Sequence, residues 1–345
     1  MPPSKLDRLT GDAVLLADGA MGTNLFAAGL PENSAPEQWL TEQPEEIAAL
    51  HRAFVGAGSD IVLTCSFGAN ATRLALWGAG LQAFPLNQRA AALAREAADR
   101  APGPVLVAGS VGPAWQLQAP NRATFEVELE TIFAEQIAGM KAEGIDFVWL
   151  ETMVTAVEAR AAAKAAIAAG LPYVATASFG RDGTTPAGLS PAGFAAAFEG
   201  LAVAPVAIGT NCCEGPETAL ASAAAMERRP GIGLAVKPGC GLPQVAGGEP
   251  STPKDPAPWR DLPRRRSAWA RRSSAAAAGP RRPMSPPCGR QSAIIGEEPE
   301  NTTGQCRPSR EETTQNSISY GRTNIWPNGC GKLRCNSEFY PPKAQ

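Results

Sequence analysis

The sequence lacks any uninterrupted apolar run of about 18 residues, the length a membrane-spanning helix needs, so no membrane span is expected. Lys5 and Arg8 near the start have no apolar core behind them, which argues against a secretory leader. Without export, the eight cysteines read as thiols or metal ligands rather than disulfides, and the cytoplasm is the expected compartment. Histidine is nearly absent. The single one, His51, sits before Arg52 in a helical pattern, where a surface or packing role outweighs catalysis. Positive charge is also short over most of the chain. Residues 1–249 hold 15 Lys and Arg against 25 Asp and Glu, a net of −10, so nucleic acid is not an expected partner. Residues 250–345 reverse the balance, with 16 against 8 and 14 of the 32 prolines. The formal net charge of −2 therefore averages two unlike pieces that meet near residue 250.

The acidic piece alternates short apolar runs with Ala-rich helical stretches. Val14–Asp18, Asp60–Phe67, Val105–Ser110, Phe147–Glu151, Tyr173–Phe179, Val206–Asn211 and Gly233–Lys237 read as strands. Between them, Pro44–Gly56, Leu86–Arg100, Phe125–Glu143, Ala156–Ala169, Pro191–Leu201 and Pro216–Arg228 read as helices. The strand runs are apolar throughout, as parallel strands covered on both faces require. Such a series of βα units predicts a doubly wound sheet or a (β/α)₈ barrel. Asp18, Thr64, Ser110, Glu151, Ser178, Asn211 and Lys237 all fall at C-terminal strand ends, the rim where barrels keep their chemistry, and this favours the α/β barrel. Each alone could be a capping or turn residue; the series points to one shared site. No eighth strand is legible after Lys237, so the (β/α)₈ TIM-type barrel is expected to be incomplete, with strands one and seven left as open edges.

The strand-end motifs are Asp18-Gly-Ala-Met-Gly-Thr23, Leu63-Thr-Cys-Ser-Phe67, Gly109-Ser-Val-Gly-Pro113, Leu150-Glu-Thr152, Gly209-Thr-Asn-Cys212 and Lys237-Pro-Gly-Cys-Gly-Leu-Pro243. In this order and spacing they resemble the zinc-dependent homocysteine S-methyltransferase family, which includes betaine–homocysteine methyltransferases and the homocysteine-binding module of cobalamin-dependent methionine synthase. The resemblance covers about residues 10 to 249. It implies methionine formation by attack of a zinc-bound homocysteine thiolate on a methyl donor. A thiol is mostly protonated at neutral pH, and binding its sulfur to Zn²⁺ removes that proton. A catalytic zinc keeps about three protein ligands and one open position; in the family all three are cysteines, one matched by Cys212. By the same resemblance Asp18, Gly19, Thr64 and Glu151 hold the amino and carboxylate groups of homocysteine, and Asn211 supports the metal ligand. Gly19-Ala-Met-Gly22 lacks the spacing and the Lys of a phosphate loop.

The family's other two zinc ligands belong to a Gly-Gly-Cys-Cys-Gly-Thr run, which is missing. In its place stands Ser273-Ser-Ala-Ala-Ala-Ala-Gly-Pro280. Codons TCG TCG GCG GCT GCT GCG GGA CCn are permitted for that string. Read one nucleotide earlier, they give an apolar residue followed by Val-Gly-Gly-Cys-Cys-Gly-Thr. A departure from the ancestral frame between about residues 245 and 255 is therefore expected, which also accounts for the Arg, Pro, Ala and Ser of the basic piece. Residues 1–249 would be the homocysteine-binding barrel domain. Residues 250–345 would be a non-homologous, largely disordered tail, with a short helix at Ser267–Ala278 and no zinc finger at Cys330 and Cys335. With one zinc ligand left, metal affinity and activity should be impaired; Cys213 and Cys240 are the nearby substitutes. The alternative reading is a non-catalytic product of a frame-shifted gene with weak homocysteine binding.

The donor is expected to be betaine first, then S-methylmethionine or a methylated folate or corrinoid. A trimethylammonium needs aromatic faces, and Trp39, Trp115 and Trp149 are candidates. The family's tyrosines are replaced by Gly68 and Thr152, and Tyr173 is the only tyrosine of the acidic piece.

Overall fold

The computed structural model describes residues 5–11, 13–31, 34–114, 122–239, 244–246, 249–251 and 294–295. The strands are β1 (Leu15–Leu16), β2 (Ile61–Leu63), β3 (Leu106–Val111), β4 (Phe147–Met153), β5 (Tyr173–Ala177), β6 (Ala207–Cys212) and β7 (Gly233–Pro238). The helices are α1 (Lys5–Thr10), α2 (Gly22–Ala27), α3 (Trp39–Glu42), α4 (Pro44–Gly56), α5 (Ala71–Ala75), α6 (Ala83–Asp99), α7 (Arg122–Ala142), α8 (Ala156–Ala168), α9 (Pro191–Ala196) and α10 (Pro216–Ala224). Strands β2 to β7 form one parallel sheet in sequence order, and β1 joins it through a parallel bridge between Ala17 and Ile61. This is the curled α/β sheet of an incomplete TIM-type barrel, with the helices outside.

The strand residues sort themselves by parity. Leu106, Ala108, Phe147, Trp149, Val174, Ala207 and Ala235 pack with Leu15, Ala17, Ile61 and Leu63 into an inner plug. Their neighbours Val107, Val148, Leu150, Tyr173, Ala175 and Ile208 pack outward against the helices. Because strand side chains alternate faces, the next one or two positions of the inward set reach Ser110, Glu151, Thr176, Asn211 and Lys237. The apolar plug and the polar rim are thus consecutive layers of the same strands.

Outside, small residues let the helices sit close. In α8 Ala159, Ala161, Ala162, Ala163, Ala165 and Ala166 are buried, and the Thr155 hydroxyl caps the helix by accepting from Glu158 N at 3.2 Å. Gly209 is a harder constraint: a Cβ there would come within 1.7 Å of the Ala235 carbonyl on the next strand. Gly209→Ala should therefore destabilise the sheet by about 3 kcal/mol, the upper range for overpacking, read as a lowered urea midpoint.

Three features differ from the sequence reading. The helical patterns at Pro191 and Pro216 end at Ala196 and Ala224. Strands do occur after Lys237: β8 (Gln244–Ala246) and β9 (Glu249–Ser251) form an antiparallel pair, and β10 (Ile294–Ile295) pairs antiparallel with β1 and lies against β7. None is the parallel eighth strand of a closed barrel. The edge of β1 is nonetheless paired rather than open, because unpaired backbone N–H and C=O groups accept any extended segment within reach. The remainder of 250–345, including Ser267–Ala278 and the expected disorder, lies outside the described residues.

His51 is fully buried in α4, and neither ring nitrogen has a hydrogen-bond partner among the described residues. Burial lowers its pKa to about 4. A lowered value contributes stability that is present above the unfolded pKa and is lost as pH falls through the folded one. His51→Leu should lose less stability than the parent between pH 6.5 and 4, by about 3 kcal/mol, checked by urea unfolding across that window.

Candidate active site

The rim residues converge at the C-terminal ends of the strands. Asp18 follows β1 and is buried; one oxygen accepts from Leu63 N at 2.8 Å and the other lies 3.2 Å from the Lys237 ammonium. Burial pushes the Asp18 carboxyl up to about 6, against the lowering pull of Lys237. Lys237 is itself buried on β7. Burial acts to lower its pKa, but the carboxylates of Asp18 and Glu151 outweigh this and hold it above the ordinary range. A buried charge persists only when paired, and here the pairs face the site.

Glu151 reaches the rim through an irregularity. The pairing of β4 with β5 shifts register between Leu150 and Met153, so an extra residue is accommodated on β4. Thr152 takes a φ of 60° there, a strained value for a β-branched residue. The bulge leaves Glu151 half-buried, accepting from the Ser110 hydroxyl. Strain of this kind persists where other contacts over-determine it, and Asn211 supplies them. Its carbonyl accepts from Thr152 N at 2.8 Å, and its amide donates to Thr152 Oγ1 at 2.6 Å and to Cys212 Sγ at 3.4 Å.

Thr64 lies just past β2 and is buried, its hydroxyl 2.6 Å from Ser66 Oγ and accepting from Ser110 N at 2.9 Å. Ser66 donates to the Ser110 carbonyl at 2.8 Å, and Gln136 of α7 donates to the Ser66 carbonyl at 2.7 Å. Thr64 therefore ties β2 to β3. Gly19 follows Asp18 on the same loop.

The two adjacent thiols point different ways. Cys212 and Cys213 both have left-handed backbone, φ 56° and 49°, at the end of β6. Gly239 fits against them: its N–H donates to the Cys212 carbonyl, and a Cβ would stand 2.7 Å from that oxygen. Cys212 is exposed at the rim beside Thr152 and Asn211. Enough protein surrounds its thiol that burial, with the nearby Glu151 charge, raises its pKa. Cys213 turns away: its sulfur accepts from Phe179 N and donates to the Asn211 carbonyl, both at 3.4 Å. Burial pushes it up to about 11.

A catalytic zinc needs about three protein ligands. Among the described residues no group of three or more His, Cys, Asp or Glu is placed to hold a metal ion. Cys212 alone offers a thiol to the site, Cys213 is committed elsewhere, and Cys240 lies outside the described residues. The described residues do not by themselves fit a catalytic zinc centre.

Of the aromatic candidates, the two among the described residues are buried in packing. Trp39 is buried with Leu25, Leu40, Ile47 and Cys65. Trp149 belongs to the inner plug, its N–H bonded to Thr176 Oγ1 at 3.1 Å and its face 6.0 Å from the Lys237 ammonium. Trp115 lies outside the described residues. The sequence marks Thr64 as substrate-binding and puts Ser110 and Lys237 on the shared rim without a specific role, and it gives no role to Ser66 or Thr152. For Lys237 the signal was present: a charge inside an apolar strand, two residues after the inward-facing Ala235.

Residues 15–280 match the homocysteine S-methyltransferase family. Methionine synthase of Mycobacterium tuberculosis is 30% identical over 245 residues, covering 67% of this chain and 20% of that protein. Betaine–homocysteine S-methyltransferase 1 of Rattus norvegicus is 31% identical over 225 residues, covering 62% and 52%. The chain thus spans a fifth to about half of the length of these relatives. The crystal structure of the Escherichia coli homocysteine methyltransferase MmuM in its metallated form superposes with a TM-score of 0.56 at 25% identity, covering 68% of this chain and 85% of that one. With its strand-end carboxylates, its Asn-Cys turn and this match over most of its length, the chain belongs to the homocysteine S-methyltransferase family.

Proposed function

We propose that the chain binds homocysteine at the rim of its barrel and descends from an enzyme that methylates it to methionine. The observation that carries this reading is the placement of Asp18 and Glu151 about the Lys237 ammonium at the strand ends, with the exposed Cys212 thiol on the same rim. Two carboxylates against one buried ammonium suit a ligand that brings its own ammonium. In the reaction, the homocysteine sulfur forms a bond to the donor's methyl carbon, the donor leaves with the electron pair of the broken bond, and the thiol proton is released. In the family, zinc would supply the thiolate, with Cys212 as one ligand; Asp18, Gly19, Thr64, Glu151 and Asn211 would hold and orient the amino acid.

Betaine is the first donor to test, then S-methylmethionine and a methylated folate or corrinoid. The buried settings of Trp39 and Trp149 give betaine no support beyond the family resemblance. The family match runs to residue 280; the composition break near residue 250 and the permitted codons at Ser273–Pro280 support the inference that the basic remainder is read out of frame. A second reading, a non-catalytic product that keeps weak homocysteine binding, is favoured by one observation: among the described residues a single thiol, that of Cys212, faces the site. Methionine formation from homocysteine and betaine, with zinc supplied, tests the first reading. Turnover supports it, and homocysteine binding without turnover from any of the named donors supports the second.

A further inference from the structure

We propose that the gap between β1 and β7 is a strand-accepting site, and that the chain fills it in cis with Ile294–Ile295, closing the barrel where the described residues hold no parallel eighth strand. The architecture alone carries this, independently of the homocysteine reading. In β1, Leu16 turns both backbone groups toward β2: its N–H donates to the Asp60 carboxylate at 3.0 Å and its carbonyl accepts from Asp60 N at 2.7 Å. Asp18 N donates to the Ile61 carbonyl on the same side at 2.9 Å. Backbone groups alternate sides along a strand, so those of Leu15 face away from β2, into the gap. Across the gap, β7 has its ladder with β6.

β10 sits in that gap. Its antiparallel ladder pairs Ile295 with Leu15 and Ile294 with Leu16, and it lies against β7 as well. Antiparallel pairs alternate between bonded and non-bonded; with Leu16 committed to β2, Leu15 and Ile295 form the bonded pair. Ile294-Ile295 is the only adjacent pair of Ile or Val in residues 250–345, and β-branched residues favour extended pairing. Gly296-Glu-Glu-Pro299 follows, with charges and a proline that discourage a further strand from adding. A parallel eighth strand needs a long crossover, whereas an antiparallel one only has to return, and residues 252–293 are long enough for that. The side chains of Val14 and Leu16 are exposed. An unfilled gap would therefore present apolar side chains and unpaired backbone together, the combination that recruits another chain.

Two measurements on the full-length chain test this. In the first, Leu16→Cys and Ile294→Cys are introduced together, because a non-bonded antiparallel pair brings its Cβ atoms within disulfide reach. Oxidation with diamide, mapped by mass spectrometry, should join the introduced pair within one chain, while Leu16→Cys with Ile318→Cys should not cross-link. A link between two chains places a second copy in the gap and overturns cis closure. No link, or equal linking of the Ile318→Cys control, overturns the proposal outright. In the second, Ile295→Pro removes the N–H that faces the Leu15 carbonyl. Hydrogen exchange of the Leu15 amide should then quicken about tenfold or more, with the circular dichroism of the parent retained. A synthetic peptide of residues 291–299, added in excess, should restore protection in this variant and bind the parent about tenfold more weakly, since the parent's gap is already filled. Unchanged exchange in folded Ile295→Pro, or equal peptide binding by variant and parent, overturns the proposal. The cross-link leaves the backbone groups in place, so the test survives if Ile295→Pro does not fold.

Discussion

Replacing the basic segment by its proposed alternative reading frame, so that a Gly-Gly-Cys-Cys-Gly-Thr run takes the place of Ser273–Pro280, should raise bound zinc to one equivalent and methionine formation by about 10³-fold. A free thiol of ordinary pKa is about 3% ionised at pH 7, so complete ionisation accounts for about 30-fold. Holding the sulfur in line with the methyl group supplies the rest. Among the described residues the chain has one exposed thiol at the site, Cys212, and its pKa is raised rather than lowered. Zinc content by mass spectrometry and product formation should rise together. Zinc recovered without activity would mean that the substrate pocket is not the family's. Neither recovered would mean that the missing cysteine pair is not what the chain lacks.

Glu151→Gln should raise the homocysteine KM of that restored enzyme about 100-fold while changing kcat little. An ion-paired hydrogen bond contributes about 1.5–3 kcal/mol, and loss of binding made equally in ground and transition states appears in KM. Glu151 is half-buried and bonded to the Ser110 hydroxyl, which a glutamine carbonyl also accepts, so the fold should tolerate the change. Asp18→Asn is a poorer test. It strands the buried Lys237 ammonium and should cost about 3–5 kcal/mol of stability, which mixes folding with binding. Steady-state kinetics with thermal melts separates the two variants.

The contrast between these variants shows which parts of the site were readable in the sequence. Apolar runs located β2 to β7, because strands covered on both faces have little room for polar residues. Glu151, Asn211 and Cys212 were visible as polar residues at the ends of those runs, and Asp18 at the end of the run before them. What the sequence did not reveal depends on how backbones bend and where side chains turn. The bulge that aims Glu151 has no residue signature: Thr152 at φ 60° would have been a poor guess for a β-branched residue. Cys212 and Cys213 are identical in sequence terms, yet only one faces the rim, because the turn sends the second toward Phe179 N. Trp39 and Trp149 read as candidate ligand faces and proved to be packing, since an indole carries enough apolar surface to fill a plug. Lys237 was seen as part of a motif, but its partner lies 219 residues away in the chain, a pairing that no local pattern announces.

The most direct measurement is calorimetric titration of L-homocysteine into the purified, full-length, metal-free chain under reducing conditions. Saturable one-to-one binding, lost in Glu151→Gln, is the expected result: the pocket built by Asp18, Glu151 and Lys237 works without a complete metal centre. A folded chain that binds no homocysteine, or binds it only with one tightly held equivalent of zinc, would contradict it.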